Sequence, residues 1–118
     1  MQSFTDPSGG VAERLTGDQI ALLLTSLEGL LDEQRHRLER SEELFRALSA
    51  DASVDGTERQ AAHGAAEEAL AAIRRTEQAI RAIDDGSYGT CRSCDRPIPF
   101  ERLEALPATR TCVACPGD

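Results

Sequence analysis

Apolar residues recur along the first half of the chain at Ile20, Leu24, Leu27, Leu31, Leu38, Phe45 and Leu48, in steps of four, three and seven. Gln34 and Ser41 fill the two gaps in this heptad seam, so the spacing predicts one long amphipathic helix. Thr16-Gly17-Asp18-Gln19 has the form of a capping box and sets its start, and the pattern lapses near Ser49. Asp51-Ala52-Ser53-Val54-Asp55-Gly56 is turn material. A second capping box, Thr57-Glu58-Arg59-Gln60, predicts a second helix with its seam at Ala62, Ala66, Ala69, Ile73, Thr76, Ile80 and Ile83, closed by Gly86 in the left-handed position.

The two seams test one another. In an antiparallel hairpin, opposed residue numbers have a nearly constant sum. Leu48 with Ala62, Gln34 with Thr76 and Leu27 with Ile83 share 110, while Phe45 with Ala66, Leu38 with Ile73 and Leu31 with Ile80 share 111. The expected architecture is therefore all-α, a long antiparallel two-helix coiled-coil hairpin with a small C-terminal module. Its segments are a disordered terminus over 1–15, the hairpin over 16–86 with its tip at 50–57, and the module over 87–118. At about 1.5 Å of rise per residue, the arms should reach on the order of 40 to 50 Å. Gln34 and Thr76 form one polar layer able to pin the register, and the alanines near the turn should make the tip thin. Leu23 and Leu24 should pack on the Ser87-Tyr88 connection, with Tyr88 as a core residue locking the hinge.

The module is defined by cysteine. Cys91-x2-Cys94 and Cys112-x2-Cys115 are 17 residues apart. Each tight turn can aim two sulfurs at one centre, and two such turns supply a tetrahedral thiolate set for one zinc ion. Four protein ligands leave no open position for water or substrate, so the expected ion is structural, not catalytic. No apolar run is long enough for a membrane span, and residues 1–10 lack a signal-peptide core, so the chain reads as cytoplasmic, where disulfides are disfavoured. Ile98, Phe100, Leu103 and Leu106 make a mini-core too small to fold without metal.

Charge narrows the function classes. The chain of 118 residues carries a formal charge of −8, and residues 1–85 hold all of it, with 9 Arg against 17 acids. Such a surface repels a phosphate backbone, so direct nucleic-acid binding is not expected. No phosphate-binding glycine loop and no paired acid and base are present, so an enzyme is not expected either. Arg92, Arg96, Arg102 and Arg110 decorate the neutral module and could dock on an acidic protein surface. His36 lies on the outer face of the first helix, and His63 lies near the tip, where its titration could tune that end.

The stretch from Ala82 through Gly86-Ser87-Tyr88-Gly89-Thr90 to the first cysteine pair, with Pro97-Ile98, Arg102-Leu103, Ala105, Pro107 and Cys112-Val113-Ala114-Cys115, resembles the DksA/TraR C4-type zinc-finger family. That resemblance implies zinc ligation by Cys91, Cys94, Cys112 and Cys115. It further implies a transcription regulator whose coiled coil enters the secondary channel of bacterial RNA polymerase, where acidic tip residues act near the catalytic centre; a monomer is expected. The family tip reads Asp-x-x-Asp-x-Ala. Here the turn offers Asp51, Asp55 and Thr57, with one residue too many between the acids and Thr in place of Ala. The family's C-terminal helix has no counterpart within three residues after Cys115, so an alarmone site is not implied. The alternative is a zinc-stabilised interaction module with altered tip chemistry and a different protein partner.

Overall fold

The computed structural model describes residues 14–115; the expectation of a disordered segment falls mostly on residues 1–13, outside that range. Helix α1 (Gly17–Ser49) and helix α2 (Gly56–Asp85) form an antiparallel hairpin, and a short helix α3 (Phe100–Ala105) lies within the C-terminal module. No strand occurs among the described residues, the nearest approach being a single bridge between Thr90 and Pro97. The molecule is a rod of 70 × 25 × 19 Å. No helix of the described residues is long and apolar enough to cross a membrane.

Local chemistry sets the helix ends. The Thr16 hydroxyl accepts from the Gln19 amide at 3.1 Å, and Gln19 Oε1 accepts from the Thr16 N–H at 2.9 Å, so both arms of the capping box are made. Helix α2 departs from expectation. Its N-cap is Asp55, whose carboxylate accepts from the Thr57 N–H at 2.8 Å, and Thr57 lies inside the first turn. Asp is the stronger cap and adds negative charge at the positive end of the helix dipole, so it displaces the Thr57 box by two residues. At the other end Gly86 adopts φ 85°, and the N–H groups of Gly86, Ser87 and Tyr88 reach back to the Ala82 and Ile83 carbonyls.

The predicted register holds in the middle of the shaft. Thr76 Oγ1 lies 2.8 Å from Gln34 Oε1 in a buried contact, and Arg35 meets Glu77 at 3.4 Å one step away. Thr76 Oγ1 also lies 3.0 Å from the Ala72 carbonyl, so the hydroxyl's one hydrogen has two acceptors to choose between. Nearer the tip, the Phe45 and His63 rings pack with centroids 5.7 Å apart.

Towards the base the seam widens. Leu23 is buried in the cluster that holds Tyr88, as expected, while Leu24 is only half-buried, and Ala79 and Ala82 join the core alongside the partly buried Ile80 and Ile83. The reason is a second packing partner. A two-helix seam needs one stripe per helix, but the module covers an additional flank of the hairpin base, so residues beside the heptad positions are enclosed too. Leu15 also packs on this cluster, which corrects its placement in the terminal segment. Tyr88 sits in the same cluster, and its hydroxyl donates to the Pro107 carbonyl at 2.9 Å.

Candidate metal centre

The module is built from two hairpin-like knuckles. In the first, the Ile98 N–H donates to the Gly89 carbonyl at 2.7 Å, the Cys91 N–H to Arg96 at 2.8 Å and the Asp95 N–H to Cys91 at 2.8 Å. Asp95 takes a left-handed φ of 64°, which turns the chain sharply after Cys94. Gly89 has φ 88°, a conformation that calls for glycine, and a Cβ there would also press on Leu15 Cδ1 at 2.9 Å, the movable end of that side chain. The second knuckle is held by the Cys115 N–H donating to Cys112 at 3.2 Å. The Arg92 N–H donates to the Arg110 carbonyl at 2.9 Å, which stitches one knuckle to the other. Helix α3 lies beneath them, with Leu103 fully enclosed beside Ile98.

These turns bring the four sulfurs of Cys91, Cys94, Cys112 and Cys115 within 4.8 Å of one another. Cys94 and Cys115 sulfurs each lie 3.6 Å from that of Cys112. A tetrahedron with zinc–sulfur bonds of about 2.3 Å has edges of about 3.8 Å, so the spacing suits one ion at the centre. All four cysteines are free, and the donor set fits one structural zinc.

The peptide surroundings divide the four thiols. Burial opposes ionisation of Cys91, but N–H groups of Cys112, Ser93 and Cys94 directed at its sulfur outweigh it and hold the group down to about 6. Burial likewise opposes ionisation of Cys112, yet contacts from the Cys115 and Cys94 thiols lower it. Cys115 is pushed up to about 12 by its sulfur contacts with Cys112 and Cys91. The Arg96 N–H favours the Cys94 thiolate, but burial and the neighbouring sulfurs raise that group on balance. Two thiols are thus prepared for ionisation and two resist it. A dication that recruits all four as thiolates must expel the remaining protons, which makes binding pH-dependent.

Residues 86–117 match the prokaryotic dksA/traR C4-type zinc finger. The match takes in the C-terminal module with its four cysteines. Among curated proteins, the finger-bearing chain is 44% identical over 41 residues to the RNA polymerase-binding transcription factor DksA of Caulobacter vibrioides, covering 35% of this chain and 29% of that protein. It is 35% identical over 43 residues to the protein of that name in Escherichia coli K12, covering 36% of this chain and 28% of the relative. Similarity to the Bacillus subtilis protein YteA is 49% over 39 residues, 33% of this chain and 16% of that one. The matched segments span less than a third of each of these relatives.

Around the finger, the four arginines differ in exposure. Arg102 Nε donates to the Thr111 carbonyl at 3.0 Å, and Arg110 reaches the Ser87 hydroxyl at 3.4 Å, so both brace the finger. Arg92 and Arg96 are exposed. Thr111, nearly fully buried, escaped sequence reading because a lone threonine between arginine and cysteine carries no periodic signal.

The tip candidates lie at the far end of the rod. Asp51 accepts from the Ser53 N–H at 2.9 Å and from its hydroxyl at 2.7 Å, and these bonds hold its carboxyl below the usual range. Asp55 caps α2. Both acids are exposed and both shape the turn, while Thr57 enters the helix.

Proposed function

We propose that this chain is a non-enzymatic transcription regulator of bacterial RNA polymerase, which holds the polymerase through its finger end and presents its hairpin to the secondary channel. The observation that carries the reading is the family zinc finger set at the base of a 70 Å rod, a clamp joined to a probe. The curated relatives named as RNA polymerase-binding factors support the partner. In this reading one structural zinc orients the rod, Arg92 and Arg96 face the partner at the base, and Asp51 and Asp55 bring negative charge to the tip. The site of action is the cytoplasm.

A second reading, a different protein partner, is favoured by the tip itself. Both carboxylates are already engaged in turn and cap bonds, which leaves less of their hydrogen-bonding capacity for a metal or a channel wall.

The roles of Asp51 and Asp55 in the turn dictate the variant to use. Alanine would remove the cap along with the charge. Asp51→Asn with Asp55→Asn keeps on each side chain one acceptor oxygen for the turn and cap bonds while removing the charge. Binding to cognate polymerase and in vitro transcription across several promoters should show retained binding with altered transcript yield. Absence of binding by the unsubstituted chain defeats the polymerase reading; binding with no effect of either protein on any transcript defeats the regulatory role.

A further inference from the structure

Two Asp-Gly pairs occur in the chain, Asp55-Gly56 at the tip and Asp85-Gly86 at the base. In such a pair the aspartyl Cγ and the next backbone nitrogen can close a five-membered imide, since glycine puts no Cβ in the way. Closure requires the peptide plane between the two residues to rotate and its N–H to be free. The fold permits this at one pair and opposes it at the other.

At the tip, Asp55 is exposed and extended, with φ −78° and ψ 171°, and Gly56 opens α2. The first N–H of a helix lies outside the intrahelical ladder, and among the described residues no acceptor meets that of Gly56. The Asp55 carboxylate accepts from the Thr57 N–H at 2.8 Å. At the base, Asp85 belongs to the last turn of α2, and its Oδ1 accepts both the Ser87 N–H at 2.9 Å and the Ser87 hydroxyl at 2.6 Å. The Gly86 N–H donates to the Ile83 carbonyl at 3.4 Å, and those of Ser87 and Tyr88 donate to Ala82 at 3.0 and 3.1 Å. Ala82 and Tyr88 are core residues, so turning the Asp85-Gly86 plane pulls on the core. Turning the Asp55-Gly56 plane undoes a cap bond on an exposed turn, and exposed turns open far more readily than packed cores.

We infer that Asp55-Gly56 is a site of spontaneous isoaspartate formation, which makes the aged tip a substrate for a protein isoaspartate O-methyltransferase, and that the fold protects Asp85-Gly86 from the same reaction. The Gly56 nitrogen attacks Asp55 Cγ. The N–Cγ bond forms, a Cγ–O bond breaks, and that oxygen leaves as water with the amide proton and one proton from solvent. Water then opens the imide. Addition at Cγ restores Asp55, whereas addition at the former main-chain carbonyl carbon breaks its bond to the Gly56 nitrogen and leaves the chain running through Cγ. The product has the mass and charge of the original. It lengthens the backbone by one carbon at the α2 cap, so the bond to Thr57 is lost and the turn that carries Asp51 is reshaped. The inference stands whatever partner the tip meets.

For the test, the zinc-loaded full chain is aged at physiological temperature and neutral pH. Isoaspartate is measured at each pair by peptide mapping with electron-transfer fragmentation, and in total by methyl transfer from S-adenosylmethionine with a purified isoaspartate methyltransferase. The folded chain should carry at least about fivefold more isoaspartate at Asp55 than at Asp85, and denaturant should equalise the two. Gly56→Ala is compatible with the fold, because Gly56 lacks a positive φ and a Cβ there meets only the movable end of Arg59 at 3.4 Å. That variant should cut the yield at Asp55 about tenfold at unchanged helicity, since a Cβ hinders the attacking nitrogen and alanine favours the helix. Equal conversion of the two pairs in the folded chain, or an excess at Asp85, overturns the inference. An excess at Asp55 that persists in denaturant overturns it too, because the fold is then not its cause. Conversion of Asp55 only after denaturation, or an undiminished yield in Gly56→Ala, does the same.

Discussion

The two ends of the rod are built on opposite terms. At the base, Leu23, Leu27, Ile98 and Leu103 are at most 2% exposed, and Cys91 lies in the same cluster, so hydrophobic core and metal site are one unit. At the tip, Leu44 and Phe45 are 52% and 36% exposed, and the turn is held by side-chain caps. The lesson is a division of labour by packing. A hairpin of two helices cannot enclose its own seam, so whichever end must be rigid needs a third element, and here the zinc module supplies it. The other end remains slim and partly bare, which suits insertion into a partner.

The comparison can be broken first at the metal. Chelation, or Cys91→Ser, should unfold the base, because structural zinc contributes on the order of 10 kcal/mol or more in small domains. Circular dichroism with a zinc-release assay should show loss of the module and of part of the hairpin helicity; retention of a full native melt after complete zinc removal would contradict the shared core. Next come the side chains. Leu103→Ala should cost about 2–5 kcal/mol, whereas Leu48→Ala, half-buried beside the tip, should cost distinctly less. Equal costs in denaturant melts would mean that the two ends are packed alike.

The polar layer lies between the ends and sharpens the comparison. Thr76→Val alone leaves Gln34 without its buried partner and should destabilise by about 1–3 kcal/mol. Gln34→Leu with Thr76→Val should recover that loss, at the expense of register. Cross-linking between cysteines introduced at paired shaft positions would detect slippage. The smallest effect concerns pH. Tyr88 is the only tyrosine and there is no tryptophan, so tyrosinate absorbance reports it alone. Burial raises its phenol from 10.0 to about 12. Because the folded value is the higher one, the stability tied to the neutral phenol is intact below pH 10 and disappears as pH rises towards about 12. An absorbance midpoint at 10 with the base still folded would show that the hinge is open.

Much of this was legible because it is local. The Thr16 box, the left-handed Gly86 and the paired Cys-x2-Cys turns depend on residues within a few positions of one another. The hairpin register was legible too, since two independent heptads had to agree. Burial of Ala79, Ala82 and Leu15 was not legible, because their environment is created by a module tens of residues away. The choice of Asp55 over Thr57 as cap was a contest between two good local candidates, decided by the path of the turn.

By itself the sequence determined two long helices, their antiparallel pairing, and four thiols poised to hold one ion, since periodicity, capping and ligand spacing are short-range properties. The tertiary structure alone decided which flank of the shaft the module covers, and therefore where the core ends and apolar surface is left bare. It also tied Arg102 and Arg110 into the finger as braces. Burial and partnership depend on what arrives from elsewhere in the chain, and no local pattern encodes that.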